Sequence, residues 1–148
     1  MKLLRPVLSL LALLAICIAP TACSHDDVWG EVPDKIEQFI NRYFPNSELS
    51  SCSSTGGSYR VRIKNGPGLT FDSSCEWTAI AGYGETMPQV LVFDQLPPAL
   101  YDYLEEIQAV AKVYSMERDK SHYTIGLQNT SVVYDTATGK ITSPVPPV

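Results

Sequence analysis

The sequence predicts an α+β fold: a tandem repeat of two α-β4 units, each a helix packed on one face of a four-stranded antiparallel sheet. Three observations predict it. The stretch from Val32 to Ile80 is echoed about 64 residues later by Leu96 to Pro144, with Pro33 answering Pro97, Ile36 answering Leu100 and Ile40 answering Leu104. Tyr59-Arg60-Val61-Arg62-Ile63 answers Tyr123-Thr124-Ile125-Gly126-Leu127, and Phe71-Asp72 answers Tyr134-Asp135 after a one-residue gap. Self-similarity at a fixed offset is the mark of a duplicated folding unit. Within each half, apolar residues first recur at helical spacing and then alternate in short segments divided by turn residues.

The N-terminus comes before the first unit. Lys2 and Arg5 precede an apolar run, Val7 to Ile18, that is too short to span a membrane comfortably, and the small residues Thr21 and Ala22 precede Cys23. This is the pattern of a secretion signal over residues 1–22. It resembles a lipobox, which implies that Cys23 is diacylated and leads the mature chain, although Pro20 stands where an aliphatic residue is usual. Free secretion is the alternative. The cluster His25, Asp26 and Asp27 resembles the export signal that carries Bacteroidota lipoproteins to the outer face of the outer membrane, so surface display is expected over the periplasmic face, with residues 23–31 as a polar tether. The membrane is then reached through the lipid anchor only.

The first unit, 32–83, opens at Val32-Pro33-Asp34, with proline and an acid at the first turn where amides lack partners. Ile36, Phe39, Ile40, Tyr43 and Phe44 form one apolar face, and Pro45-Asn46 ends the helix. Strands are expected at 48–53, 59–64, 69–72 and 77–83, parted by Thr55-Gly56-Gly57-Ser58, Asn65-Gly66-Pro67-Gly68 and Asp72-Ser73-Ser74. Residues 84–95 form the connection, with a short helical bridge at 87–94. The second unit, 96–143, starts a helix at Leu96-Pro97-Pro98 with Leu100, Tyr103, Leu104 and Ile107 on its apolar face, and strands follow at 112–118, 122–128, 131–135 and 140–143. The Pro-rich tail 144–148 cannot join a sheet interior.

Alternation assigns the faces. Tyr59, Val61 and Ile63 point under the helix, leaving Arg60, Arg62 and Lys64 on the open side. If Val113 and Ser115 face the core, Tyr114, Met116 and Arg118 join that open side. Trp77 is expected in the core.

Removing Lys2 and Arg5 leaves nine basic against 16 acidic residues, a net charge of about −7. Such a chain repels phosphate backbones, which excludes nucleic acid as a partner. With Cys17 in the leader and Cys23 acylated, Cys52 and Cys75 remain for one disulfide across a loop of about 24 residues, worth about 3 kcal/mol in the chain-entropy model. Two free thiols are the alternative. In a plain meander the two positions lie two strand spacings apart, ~9.6 Å, beyond the ~7 Å that a disulfide tolerates.

The features Val32-Pro33, Phe39-Ile40, Tyr43-Phe44-Pro45, Tyr59-Arg60-Val61, Asn65-Gly66, Phe71-Asp72 and Trp77, repeated as Leu96-Pro97, Tyr103-Leu104, Tyr123-Thr124-Ile125 and Tyr134-Asp135 before Gly139, carry a resemblance. Over residues 31–143 the chain resembles the PepSY-like, beta-lactamase-inhibitor-like family of Bacteroidota envelope lipoproteins. The resemblance implies two α-β4 repeats, no cofactor, and a function described by analogy with inhibitors that grip an enzyme with the concave side of a sheet. Cys75 departs from the pattern, standing where the family usually has a turn glycine.

Chemistry-bearing clusters are sparse. His25 with Asp26 and Asp27 reads as tether rather than metal site, and His122 as a surface residue rather than a general base. Asp72 and Asp135 suit Asx turns better than calcium ligation. Asp135-Thr136-Ala137 resembles a short O-glycosylation site of Bacteroidota secreted proteins, with Thr136 as acceptor. No catalytic residue, metal or cofactor is expected. The open sheet face, with Arg60, Arg62, Lys64, Tyr114, Met116 and Arg118, is the candidate surface for a protein or peptide partner, because aromatic, Met and Arg side chains are what such surfaces favour. A solvated face with cross-strand ion pairs is the competing reading. The expectation is a monomeric, non-enzymatic binding module, one version being an inhibitor of a secreted hydrolase. The alternative is an accessory subunit of a surface glycan-handling or assembly complex.

Overall fold

A computed structural model describes residues 25–143; the leader, Cys23 and the tail 144–148 lie outside them. The elements run α1 (His25–Gly30), α2 (Asp34–Tyr43), β1 (Leu49–Thr55), β2 (Ser58–Ile63), β3 (Gly68–Phe71), β4 (Trp77–Ala81), α3 (Gln89–Gln95) and α4 (Pro98–Glu106). A 3₁₀ turn, Val110–Lys112, then leads into β5 (Ser115–Arg118), β6 (His122–Gly126), β7 (Ser131–Asp135) and β8 (Ile141–Thr142). All eight strands pair antiparallel in chain order within one sheet. The expected pair of four-stranded layers is thus a single layer, because β4 pairs with β5 through Ala79↔Glu117, Ile80↔Met116 and Ala81↔Ser115.

Proline sets the start of each main helix. Pro33, Pro88 and Pro97 stand immediately before α2, α3 and α4, and their carbonyls accept the first helical amides. A proline φ is already close to helical, and its missing N–H costs nothing at that end. Asp34 and Glu37 in the first turn of α2 and Arg42 in its last complement the helix dipole.

Alternation then divides the sheet. Val61, Leu69, Ile80, Met116, Ile125 and Val132 are successive cross-strand partners from β2 to β7, each 2% exposed or less. Ile36 and Ile40 of α2, Leu91 and Val92 of α3, and Leu100 and Leu104 of α4 are fully buried in the same core. Phe39 meets Phe71 edge to face at 5.5 Å, fixing α2 over β3. A register shift between Thr70 and Phe71 brings Phe71 opposite Trp77, and both are buried.

A chain of side-chain hydrogen bonds ties the helices to this floor. Trp77 Nε1 donates to Gln95 Oε1 (2.8 Å), Gln95 Nε2 to Tyr43 Oη (2.8 Å), and Tyr43 Oη to Asp94 Oδ2 (3.0 Å). Arg42 Nη2 also reaches Asp94 Oδ2, at 2.7 Å. Buried polar atoms of Trp and Tyr need such partners, so these contacts select one seating of α2 and α3. Lys35 pairs with Glu76, which in turn accepts from Arg118 Nη2 at 3.3 Å.

Several expectations need correction. Residues 25–30, expected as tether, form α1, because Val28 and Trp29 supply apolar surface that packs against the core. Met116 is not on the open face but fully buried, and Arg118 shares its side of β5. The strict alternation assumed from Val113 fails because β5 begins only at Ser115, and Val113 and Met116 are both buried. Arg118 lies over the Trp77 ring, 4.3 Å from its centre, and its Nε donates to Trp77 O at 2.6 Å. Cys52 and Cys75 are free. Cys52 pairs with Val61 within the sheet, whereas Cys75 sits two strands away in the β3–β4 turn. Its φ of 61° explains why a glycine is usual there. The Asx reading of Asp72 holds, since its Oδ1 accepts from Ser74 N (2.9 Å) and Glu76 N (3.0 Å).

Met116→Ala lowers unfolding free energy by about 2–5 kcal/mol, as a buried truncation does, measured by urea unfolding; a surface methionine would give almost no change. Asp94 is held below its ordinary value of 3.8, first by the hydrogen bond from Arg42 and then by that from Tyr43. A depressed carboxylate stabilises the fold above the ordinary value and loses that contribution as pH falls through the folded one. Asp94→Asn therefore flattens the acid limb of the melting-temperature profile, while the neutral-pH melting temperature falls.

Candidate docking groove

The open side of the sheet is built from what alternation leaves over. One cross-strand row runs Ser53, Arg60, Thr70, Ala79, Glu117 and Thr124, and the next runs Ser51, Arg62, Gly68, Ala81, Ser115 and Gly126. Over β1–β4 these rows line a groove of about 300 Å³, with Arg60 and Arg62 beside a floor of Gly68, Ala79 and Ala81. Ser51, Ser53 and Thr70 add hydroxyls to the same hollow.

Its outer wall is Tyr83, 66% exposed. Expected at the end of a strand, Tyr83 stands instead in a turn with a φ of 52°, followed by Gly84 at 96°. Gly82 N donates to Tyr114 O at 2.9 Å, so the turn is moored to the chain just before β5. The ring lies over Gly68, where an added Cβ would sit 3.1 Å from it. The Arg62 guanidinium stacks 3.9 Å from the ring centre, which restricts its motion while leaving N–H groups at its edge free to donate.

Among the described residues, neither Arg60 nor Arg62 has a carboxylate in ion-pair contact, whereas Lys35, Arg42, Lys64 and Arg118 each do. Glu117 shares the Arg60 row but lies three strand spacings away, ~14 Å, too far to neutralise it. Two permanently charged donors thus face solvent on an acidic chain.

Of the six residues expected on this surface, the structure brings only Arg60 and Arg62 together. Lys64 lies just beyond β2 and pairs with Glu48, just before β1, at 2.8 Å. Tyr114 is half-buried and contributes through its carbonyl, while Met116 and Arg118 belong to the covered side. The sequence reading missed Tyr83, whose signal is a tyrosine flanked by two glycines.

Elsewhere the chemistry is structural. His122 Nε2 is 3.6 Å from Asp135 and its Nδ1 3.8 Å from Asp119. Backbone amides hold both carboxyls low: Ser121 and His122 for Asp119, Thr138 and Ala137 for Asp135. Asp135 Oδ1 accepts from Ala137 N at 2.8 Å and Thr138 N at 2.9 Å, the expected Asx turn. Thr136 is exposed, and its hydroxyl donates to Ser121 O at 3.0 Å. Among the described residues, no three His, Cys, Asp or Glu side chains gather as a metal site, and no helix is long and apolar enough to cross a membrane.

Residues 57–143 match the model of the family described as "Putative beta-lactamase-inhibitor-like, PepSY-like". The chain belongs to this family. Among solved structures, this PepSY-like protein is similar to a "putative periplasmic protein" from Bacteroides vulgatus, at 26% identity and a TM-score of 0.64 over 76% of this chain and 89% of the other. A "putative calcium-regulated periplasmic protein" from Bacteroides thetaiotaomicron is 27% identical, with a TM-score of 0.62 over 76% and 91%. A third, from Bacteroides vulgatus, shares the fold at 23% identity, with a TM-score of 0.62 over 76% and 93%. No curated protein matches the chain.

A Cβ on Gly82 would lie 2.0 Å from Glu85 O and 2.9 Å from Tyr114 O, so Gly82→Ala must displace backbone. It lowers stability by at least about 1–3 kcal/mol, read by thermal unfolding. Gly68→Ala, which meets only the movable Tyr83 ring, costs less.

Proposed function

We propose that this chain is a non-enzymatic binding module of the bacterial envelope, anchored by lipid on Cys23, that holds a protein or peptide partner on the open face of its sheet. One observation carries the reading: Arg62 stacks on the Tyr83 ring and Arg60 lines the same groove, neither in ion-pair contact among the described residues, over a floor of small side chains on a chain that is otherwise acidic. Arg and Tyr are the side chains from which interface hot spots are most often built. The descriptions of the Bacteroides relatives as periplasmic support the envelope location. The secretion pattern of residues 1–22 and the acidic cluster after Cys23 support display on the outer membrane.

The same reading takes the fold as two copies of one α-β4 unit. Register supports it: Val61 pairs with Leu69 and Tyr59 with Phe71 in the first half, and their counterparts Ile125 with Val132 and Tyr123 with Tyr134 in the second. Inhibition of a secreted hydrolase is one form that such binding takes, by analogy with the family description.

Exchange of both arginines provides the test. Full chain carrying Arg60→Glu and Arg62→Glu, incubated with envelope extract, fails to retain a partner that wild type captures stoichiometrically, while its melting temperature stays within about 2 °C, since both side chains are exposed. Equal capture by the two proteins removes the groove from the function. Incorporation of a palmitate analogue that is lost in Cys23→Ala checks the anchor.

A further inference from the structure

We infer that the groove's occupant is an extended acidic peptide segment whose carboxylates stand two residues apart, one on Arg60 and one on Arg62. This deepens the docking reading and rests on it.

Charge selects an anion, because the two guanidiniums in the groove have no carboxylate in contact among the described residues. Spacing selects its form. Arg60 and Arg62 are alternate residues of β2 on one face, so their Cα atoms are ~6.7 Å apart by strand geometry. An extended peptide lying along β2 presents its own alternate side chains at the same interval, so two acidic residues in that phase meet both guanidiniums without distortion. Size agrees: about 300 Å³ holds a few side chains of a segment and no more.

The lining fits such a segment as well. Gly68, Ala79 and Ala81 keep the floor low, so a peptide backbone can approach the sheet closely. Ser51 opposes Arg62, while Ser53 and Thr70 flank Arg60, which places a hydroxyl beside each cation as a second donor to a carboxylate. Tyr83 holds the Arg62 plane, and a planar guanidinium with fixed orientation donates two parallel hydrogen bonds to a carboxylate.

Fluorescence anisotropy with the full chain tests this, using labelled pentapeptides of one composition, with glutamates at the second and fourth positions or at the second and third. The alternating peptide binds about tenfold tighter, and added salt weakens it. Arg60→Gln and Arg62→Gln each weaken it about tenfold, and Lys120→Gln, on the exposed β5–β6 turn, does not. Melting temperatures recorded beside each titration separate binding from folding. Equal affinity for the two isomers overturns the spacing, and if the double arginine exchange still abolishes partner capture, the docking reading survives that failure. Binding of an oligouronate or inorganic phosphate with neither peptide bound overturns the peptide as occupant. Unchanged alternating-peptide affinity in both arginine variants overturns the site.

Discussion

The molecule depends on one apolar row. Val61, Leu69, Ile80, Met116, Ile125 and Val132 cross six strands as consecutive partners, and because strand side chains alternate, fixing that row fixes the face of every neighbour. A slip of one residue along it would send apolar side chains into water, and in β2 it would bring an arginine under the helices. Burial of the row therefore specifies the groove as well as the core. Arg60 and Arg62 face outward because Val61 and Ile63 cannot.

The helices are held to this row by directional contacts as well as apolar ones. Trp77, Gln95, Tyr43, Asp94 and Arg42 form a continuous hydrogen-bonded chain from the sheet floor to the surface of α2. Apolar packing alone is tolerant of sliding, whereas each donor here has one acceptor within reach. These contacts fix the seating of the helices on the covered side, and the same strands present Arg60 and Arg62 on the opposite side.

Much of this was legible in the sequence where period and burial agree. Strict alternation in Tyr59 to Ile63 placed the two arginines correctly, and helical spacing from Ile36 to Tyr43 found the buried face of α2. Reading failed where the backbone leaves its regular period. Val113 and Tyr114 precede β5, so counting by twos from Val113 put Met116 and Arg118 on the wrong side. Tyr83 was invisible for a related reason: a residue in the left-handed region ends a strand, and alternation carries no information past it. Pairing of β4 with β5 was equally hidden, because the echo between the halves of the sequence says nothing of how those halves meet.

That central pairing has a kinetic consequence. Every other pair of neighbouring strands is joined by a short turn, whereas β4 and β5 are separated by about 33 residues that include α3 and α4. Closing such a span costs about 2 kcal/mol more chain entropy than closing a three-residue turn. Chain entropy therefore disfavours early closure of the seam at Ala79–Ala81, and while it stands open both flanking strands expose raw edges to other chains.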